Sequence, residues 1–141
     1  MLSAALICLV VGISDGDTLT ARCGTEGSYE QIKVRIHAID APERSQPYGN
    51  RSRESLSDLC FKQQAKIRRE DTDRYGRTVA SVECQGKDVA AHQVRKGMAW
   101  VYTRYAKNRP DLVPLERKAR EQRMGLWQDS DATPPWAWRR K

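Results

Sequence analysis

A chain of 141 residues, 39% hydrophobic and 30% charged, is long enough for one cored domain and too short for two. The same balance excludes an intrinsically disordered chain and an integral membrane protein. Its 25 Lys plus Arg against 18 Asp plus Glu leave a net charge of +7, which points either to a polyanionic partner such as nucleic acid or to a plainly solvated basic surface.

The apolar run from Leu2 to Val11 is too short to cross a bilayer as a helix, so no stable membrane association is expected. The first basic residue is Arg22; without a charged start the run is not a complete secretory signal, and Met1 to Leu6 reads as the remainder of a trimmed leader. The β-branched residues of Ile7 to Val11 start a strand over Leu6 to Gly12. Thr18 to Cys23, Ile32 to Ile39, Ala65 to Arg69 and Thr78 to Cys84 supply four more. In the third, strict alternation puts Val34, Ile36 and Ala38 on one face and Arg35, His37 and Ile39 on the other.

Between the third and fourth strands, Tyr48 to Cys60 reads as a helix with Leu56, Leu59 and Cys60 inward. A second helix, Asp88 to Lys96, runs from an N-cap aspartate to Gly97 and buries Ala90, Ala91 and Val94. A third, Asp111 to Arg123, stops at Gly125, its charged face from Glu116 to Arg123 expected in solvent. The tail from Asp129 to Lys141 lacks either period and is expected to lie extended. Its Trp136 and Trp138 read as packing it onto the barrel, in preference to forming a stacking patch with Arg139 and Arg140. Strands first and helices later give an α+β fold in one domain, and five short strands suit a small β-barrel.

The four cysteines include no CxxC pair, which disfavours zinc and thioredoxin-type chemistry. Cys8 and Cys23 flank the first hairpin; Cys60 ends a helix and Cys84 a strand. Pairs 8 with 23 and 60 with 84 are preferred, with other connectivities and four buried free thiols still open. Disulfides would imply an oxidising compartment, secreted or periplasmic.

Three motifs carry chemistry. Asp15-Gly16-Asp17-Thr18 is either a plain hairpin turn that uses positive φ or a mount for Asp17 as an oxygen ligand at a strand mouth. Asp40-Ala41-Pro42-Glu43 is either a capping box, weakened by Pro47, or a metal-and-base pair. Carboxylates without His or thiolate neighbours favour calcium or magnesium over zinc. Asp73-Arg74-Tyr75-Gly76-Arg77 is a glycine-containing hairpin whose Arg77, with Arg35, could grip a phosphodiester through planar forks. A cation, a carboxylate base and two arginines make a site for phosphodiester hydrolysis. His37 and His92 lack motif partners and read as ordinary histidines.

These motifs, with Arg35-Ile36-His37-Ala38-Ile39 before Asp40 and with Gly125-Leu126-Trp127, stand in an order and spacing that resembles the staphylococcal nuclease (thermonuclease) family over nearly the whole chain. The resemblance implies a five-stranded OB-fold barrel with three α-helices and calcium-dependent hydrolysis of DNA and RNA, with cleavage of the P–O5′ bond to leave 3′-phosphate ends. Asp17, Asp40 and the backbone carbonyl of Ala41 match calcium ligands. A threonine is common in the family at Ala41, but a carbonyl ligand needs no particular side chain. Glu43 matches the base; Arg35 and Arg77 match the phosphate-binding, catalytic arginines. Arg74 and Tyr75 match weaker phosphate contacts, and Tyr102 and Tyr105 could stack bases. A monomer without an obligate protein partner would suffice. The rivals are a binding-only module of this fold, against which retention of Asp17, Arg35, Asp40, Glu43 and Arg77 argues, and a basic protein for membranes or polysaccharides.

Overall fold

Apolar alternation builds the sheet, and a computed structural model describes the result for residues 5–140. Positions 1–4 of the leader reading, and Lys141, lie outside the described residues. In chain order the elements are β1 (Leu6–Asp15), β2 (Thr18–Cys23), β3 (Glu30–Ile36), β4 (Ile39–Asp40), α1 (Gly49–Cys60), β5 (Gln64–Thr72), β6 (Thr78–Cys84), β7 (Lys87–Asp88), α2 (Val89–Arg95), β8 (Trp100–Val101), α3 (Leu112–Glu121) and α4 (Pro135–Trp138). Short 3-10 turns cover Thr103–Asn108 and Gly125–Gln128.

Strands β3, β2, β1, β5 and β6 pair antiparallel in that order. A parallel pairing of β3 with β6, from Val34 opposite Thr78 to Ile36 opposite Ala80, closes them into a five-stranded barrel. This is the expected α+β, OB-type architecture, with closure removing the sheet edges. Val10, Leu19, Ala21, Val34, Ile36, Ala65, Ile67, Ala80 and Val82 fill the core. Strand β1 slips register between Val10 and Gly12 and again between Ile13 and Asp15. Such bulges change which face a residue takes, so Cys8, Val10 and Ile13 are all buried although their numbers do not alternate. The carbonyls of Ile13 and Ser14 accept from Arg53 Nε and Arg44 Nε, each at 3.1 Å.

Several expectations need correction. The third strand ends at Ile36, because Ala38 takes a left-handed φ of 73° and turns the chain. That turn breaks the predicted alternation: Ile39 is 1% exposed and starts β4, opposite Val101, instead of sharing an outward face with Arg35. Strand β5 runs past Arg69 to Thr72, since its ladder with β6 continues to Asp71 opposite Val79 and Thr72 opposite Thr78. In α2, Val89 and Gln93 are fully buried and Ala91 only partly. The charged face of α3 is not wholly solvated: Glu116 accepts from the Val101 amide at 2.6 Å, and Arg120 lies over the rings of Trp100 and Trp127. The tail is not extended throughout. Pro135 opens one helical turn, where its missing N–H and fixed φ cost nothing.

Both preferred disulfides are present and no cysteine among the described residues is free. Cys8 and Cys23 face each other across β1 and β2, with Cα atoms 4.4 Å apart. Cys60–Cys84 ties the end of α1 to the end of β6. No described helix is long and apolar enough to cross a membrane. Replacing Cys60 and Cys84 by Ala should lower unfolding stability by about 3 kcal/mol, as loss of a cross-link over a loop of this size does. Urea titration reads that loss. Thiol titration of the unreduced, denatured parent should find no reactive group.

Candidate active site

Two turns at one end of the barrel set the site. The β1–β2 turn presents Asp17, and neither Gly16 nor Asp17 has positive φ. Glycine is needed there for space: a Cβ on Gly16 would overlap Ser52 Oγ and lie 3.0 Å from the Ala41 Cβ. Behind the turn, fully buried Gln93 donates from Nε2 to the carbonyls of Gly16 at 2.8 Å and Ser52 at 3.0 Å. Its Oε1 accepts from Ser55 at 2.7 Å. A buried amide with every partner in place is rigid, because each lost bond would leave a desolvated polar atom. Sequence reading missed Gln93; its signal was a polar residue on the same stripe as Ala90 and Val94.

Asp17 is 5% exposed and Asp40 1%. Asp17 Oδ1 accepts from the Thr18 hydroxyl at 2.8 Å, and Oδ2 from the Ala41 amide at 2.7 Å. That second bond carries the Asp40–Ala41 turn to the β1–β2 turn. Arg35 joins the two acids, with Nη1 3.6 Å from Asp17 Oδ2 and Nη2 3.3 Å from Asp40 Oδ1. Its Nη1 also donates to the carbonyls of Ile36 at 2.9 Å and Ile39 at 2.8 Å. The same guanidinium therefore braces the turn that redirects β3, and among the described residues its Nε–H makes no hydrogen bond.

Burial pushes the Asp40 carboxyl above its ordinary range, with Asp17 adding repulsion, and Arg139 and Arg35 pulling it back. Asp15 is likewise raised, by burial first and then by Asp17 and Glu43. Asp15 thus stands within the field of the same acidic group, a neighbour that the motif reading passed over. The capping-box alternative fails, since Asp40 lies in β4 and the next helix starts only at Gly49.

Glu43 sits in the following loop with its side chain 34% exposed. Its amide donates to Gln46 Oε1 at 3.1 Å, and Gln46 Nε2 donates to the Thr133 carbonyl of the tail. Arg139 completes the group. Its Nη1 lies 2.6 Å from Glu43 Oε1 and its Nη2 2.8 Å from Asp40 Oδ2. Sequence reading considered Arg139 only for a stacking patch that it set aside and missed this contact, which links positions 96 and 99 residues apart.

Arg77 stands elsewhere on the rim. Asp73 organises its hairpin, accepting from the Tyr75 and Arg77 amides at 2.9 Å and from Arg77 Nε at 2.7 Å. These bonds outweigh slight burial and hold Asp73 below the usual carboxylate range. The closing β3–β6 pairing keeps Arg77 one strand away from Arg35. Among the described residues its guanidinium pairs with Asp73, not with the acidic group. Tyr75 is 69% exposed, with Arg74 and Arg77 over its ring. Tyr102 is covered: Trp136 stacks on it at 5.3 Å and 22°. Tyr105 meets Tyr102 edge-on and lies 5.4 Å from His37. Burial above all lowers the pKa of both His37 and His92 from 6.5, so each is neutral at pH 7.

No three Asp, Glu, His or Cys side chains gather into a metal cluster among the described residues. What the turns bring together is two carboxylates, Asp17 and Asp40, beside the Ala41 peptide. That all-oxygen set fits a hard cation that keeps several waters, calcium or magnesium, and not zinc.

The family described as staphylococcal nuclease homologue matches residues 33–129, more than half of the chain. An uncharacterized endonuclease of Haemophilus influenzae is 42% identical over 134 residues, 95% of this chain and 73% of that protein. A micrococcal nuclease of Shigella flexneri is 40% identical, over 93% of this chain and 79% of its own length. A staphylococcal-like nuclease of Arabidopsis thaliana is 37% identical over 79% of this chain and 34% of its own length.

The Glu43 loop depends on one close approach. A Cβ on Gly49 would collide with the Glu43 carbonyl oxygen and lie 2.9 Å from the Arg44 Cα. Gly49→Ala should cost about 1–3 kcal/mol through backbone displacement. Differential scanning calorimetry checks it against Gly12→Ala, whose Cβ would lie 3.7 Å from Thr20 Cβ, an ordinary contact.

Proposed function

The chain belongs to the staphylococcal nuclease family and is a nuclease, and from that footing we propose that it is a calcium-dependent phosphodiesterase of DNA and RNA. It cleaves the P–O5′ bond with little sequence preference and leaves 3′-phosphate ends. The observation that carries this reading is the convergence of Asp17 and Asp40 on the Arg35 guanidinium, with Glu43 at the edge of the same group. Asp17, Asp40 and the Ala41 carbonyl would hold calcium, which when bound would supply positive charge to a phosphate oxygen and favour ionisation of a nearby water.

The protein groups divide the remaining work. Glu43, the more exposed of the acids, accepts the proton of the attacking water. Arg35 uses its free donors on the phosphate, where charge-assisted bonds strengthen as negative charge grows on the oxygens. Arg77 approaches from the neighbouring strand and assists departure of the 5′-oxygen. Arg74 and Tyr75, exposed beside it, contact the flanking nucleotide, and Tyr105 offers a ring for a base. The surplus of basic residues favours encounter with any polyanion, which agrees with low sequence preference. Two disulfides suit an oxidising compartment, so the protein works as a secreted or periplasmic monomer.

Polymeric DNA and RNA should be lost on incubation with calcium and should survive in excess chelator. Unchanged degradation under chelation would remove the metal from the mechanism. Glu43→Gln should slow cleavage by about 10² to 10⁴ while circular dichroism stays unchanged. Arg35→Lys keeps the charge and loses the fork, so cleavage should fall by about 10². Parental rates in either variant would count against the assigned role. End-labelling should detect free 5′-hydroxyls and blocked 3′ ends on the fragments.

A further inference from the structure

The C-terminal tail puts a cation of its own on the acidic group. Arg139 engages Glu43 Oε1 through Nη1 and Asp40 Oδ2 through Nη2, and its Nη1 also lies 3.4 Å from Asp40 Oδ1. With Arg35 on Oδ1, both oxygens of Asp40 are occupied. The approach is held by contacts that do not involve Arg139. Trp136 stacks on Tyr102 and meets Trp100 edge-on at 5.8 Å. Pro135 is buried, and Gln46 grips the Thr133 carbonyl. Trp138 lines a cleft with Pro42, Pro47 and Tyr48. One helical turn then delivers residue 139 over the site.

We propose that Arg139 is a built-in counter-cation that competes with the divalent ion for Asp40 and, while engaged, holds Glu43 in an ion pair. This inference rests on the calcium reading above. A guanidinium bonded to Asp40 Oδ2 repels a cation on the same carboxylate and crowds its approach, so binding of the ion favours withdrawal of Arg139. Withdrawal frees Glu43 Oε1 to accept a proton. The tail therefore couples occupation of the ion site to exposure of the base, and the protein without the ion stays latched. The coupling is reciprocal: whatever the ion must spend to displace Arg139 is lost from its affinity.

Calorimetric titration with calcium chloride, without nucleic acid, tests this on the full chain. Arg139→Gln should bind calcium about five- to tenfold more tightly than the parent, and Arg139→Lys, which keeps the charge but lacks the planar fork that spans Asp40 and Glu43, should fall between. Arg140→Gln removes an equal charge from an exposed neighbour and should change affinity by less than about twofold, because a solvated charge acts only through a screened field. Equal or weaker binding by Arg139→Gln overturns the latch, and so does an equal gain in Arg140→Gln. If parent and variants all fail to bind calcium, the calcium reading itself falls and takes the latch with it, an outcome distinct from equal binding. Melting temperatures without calcium confirm that each variant is folded.

Discussion

Two carboxylates cannot be buried side by side without compensation, and this constraint orders one end of the barrel. Asp17 and Asp40 are both nearly inaccessible, and each has lost the water that would otherwise screen it. Arg35 answers both, and the Ala41 amide and Thr18 hydroxyl take most of the remaining demand on Asp17. Two carboxylates against one guanidinium leave an excess of negative charge, which Arg139 offsets from the tail. Asp15, half-buried, and the more exposed Glu43 add to that excess.

Polar groups behind the acids keep them in place. Gln93 is fully buried and joins the Gly16 turn to α1 and α2 through bonds that leave its amide no alternative arrangement. Ser52, also fully buried, donates to the Met98 carbonyl at 2.6 Å and faces the space that only glycine leaves open at position 16. Gln46 does the same for the other turn by connecting Glu43 to the tail. The barrel thus supplies rigid strand ends, and a second layer of amides and hydroxyls aims the charged groups.

Aromatic packing extends this organisation into the tail. Trp100 in β8 lies beside Asp40 in the β4–β8 pairing and is edge-on to both Trp127 and Trp136. A continuous row of rings therefore leads from Trp127, in the 3-10 turn after α3, to Tyr102 and the tail. The row offers large apolar area at little cost in side-chain entropy, which suits a short segment with few backbone bonds of its own. Arg120, stacked on two of these rings, shows why a charged face on α3 is not purely a solvent face.

Local signals determined much of this protein from sequence alone. Short β-rich runs between turn signals located the barrel strands, an N-cap aspartate and a terminal glycine bounded α2, and the acidic and basic motifs named Asp17, Arg35, Asp40, Glu43 and Arg77 as the residues to watch. Cysteines placed at element ends gave the pairing that is observed. Tertiary structure alone decided what lies opposite what. The left-handed Ala38 moves Ile39 into the core by a backbone turn that apolar alternation does not encode. Gln93 becomes a brace only because α1 and the β1–β2 turn close around it, and Glu116 finds a buried amide across the fold. Arg139 reaches Asp40 and Glu43 only after the aromatic rings fold the tail back. Periodicity and capping act over a few residues along the chain, whereas the pairing of charges across nearly a hundred residues depends on which surfaces the packed core brings together.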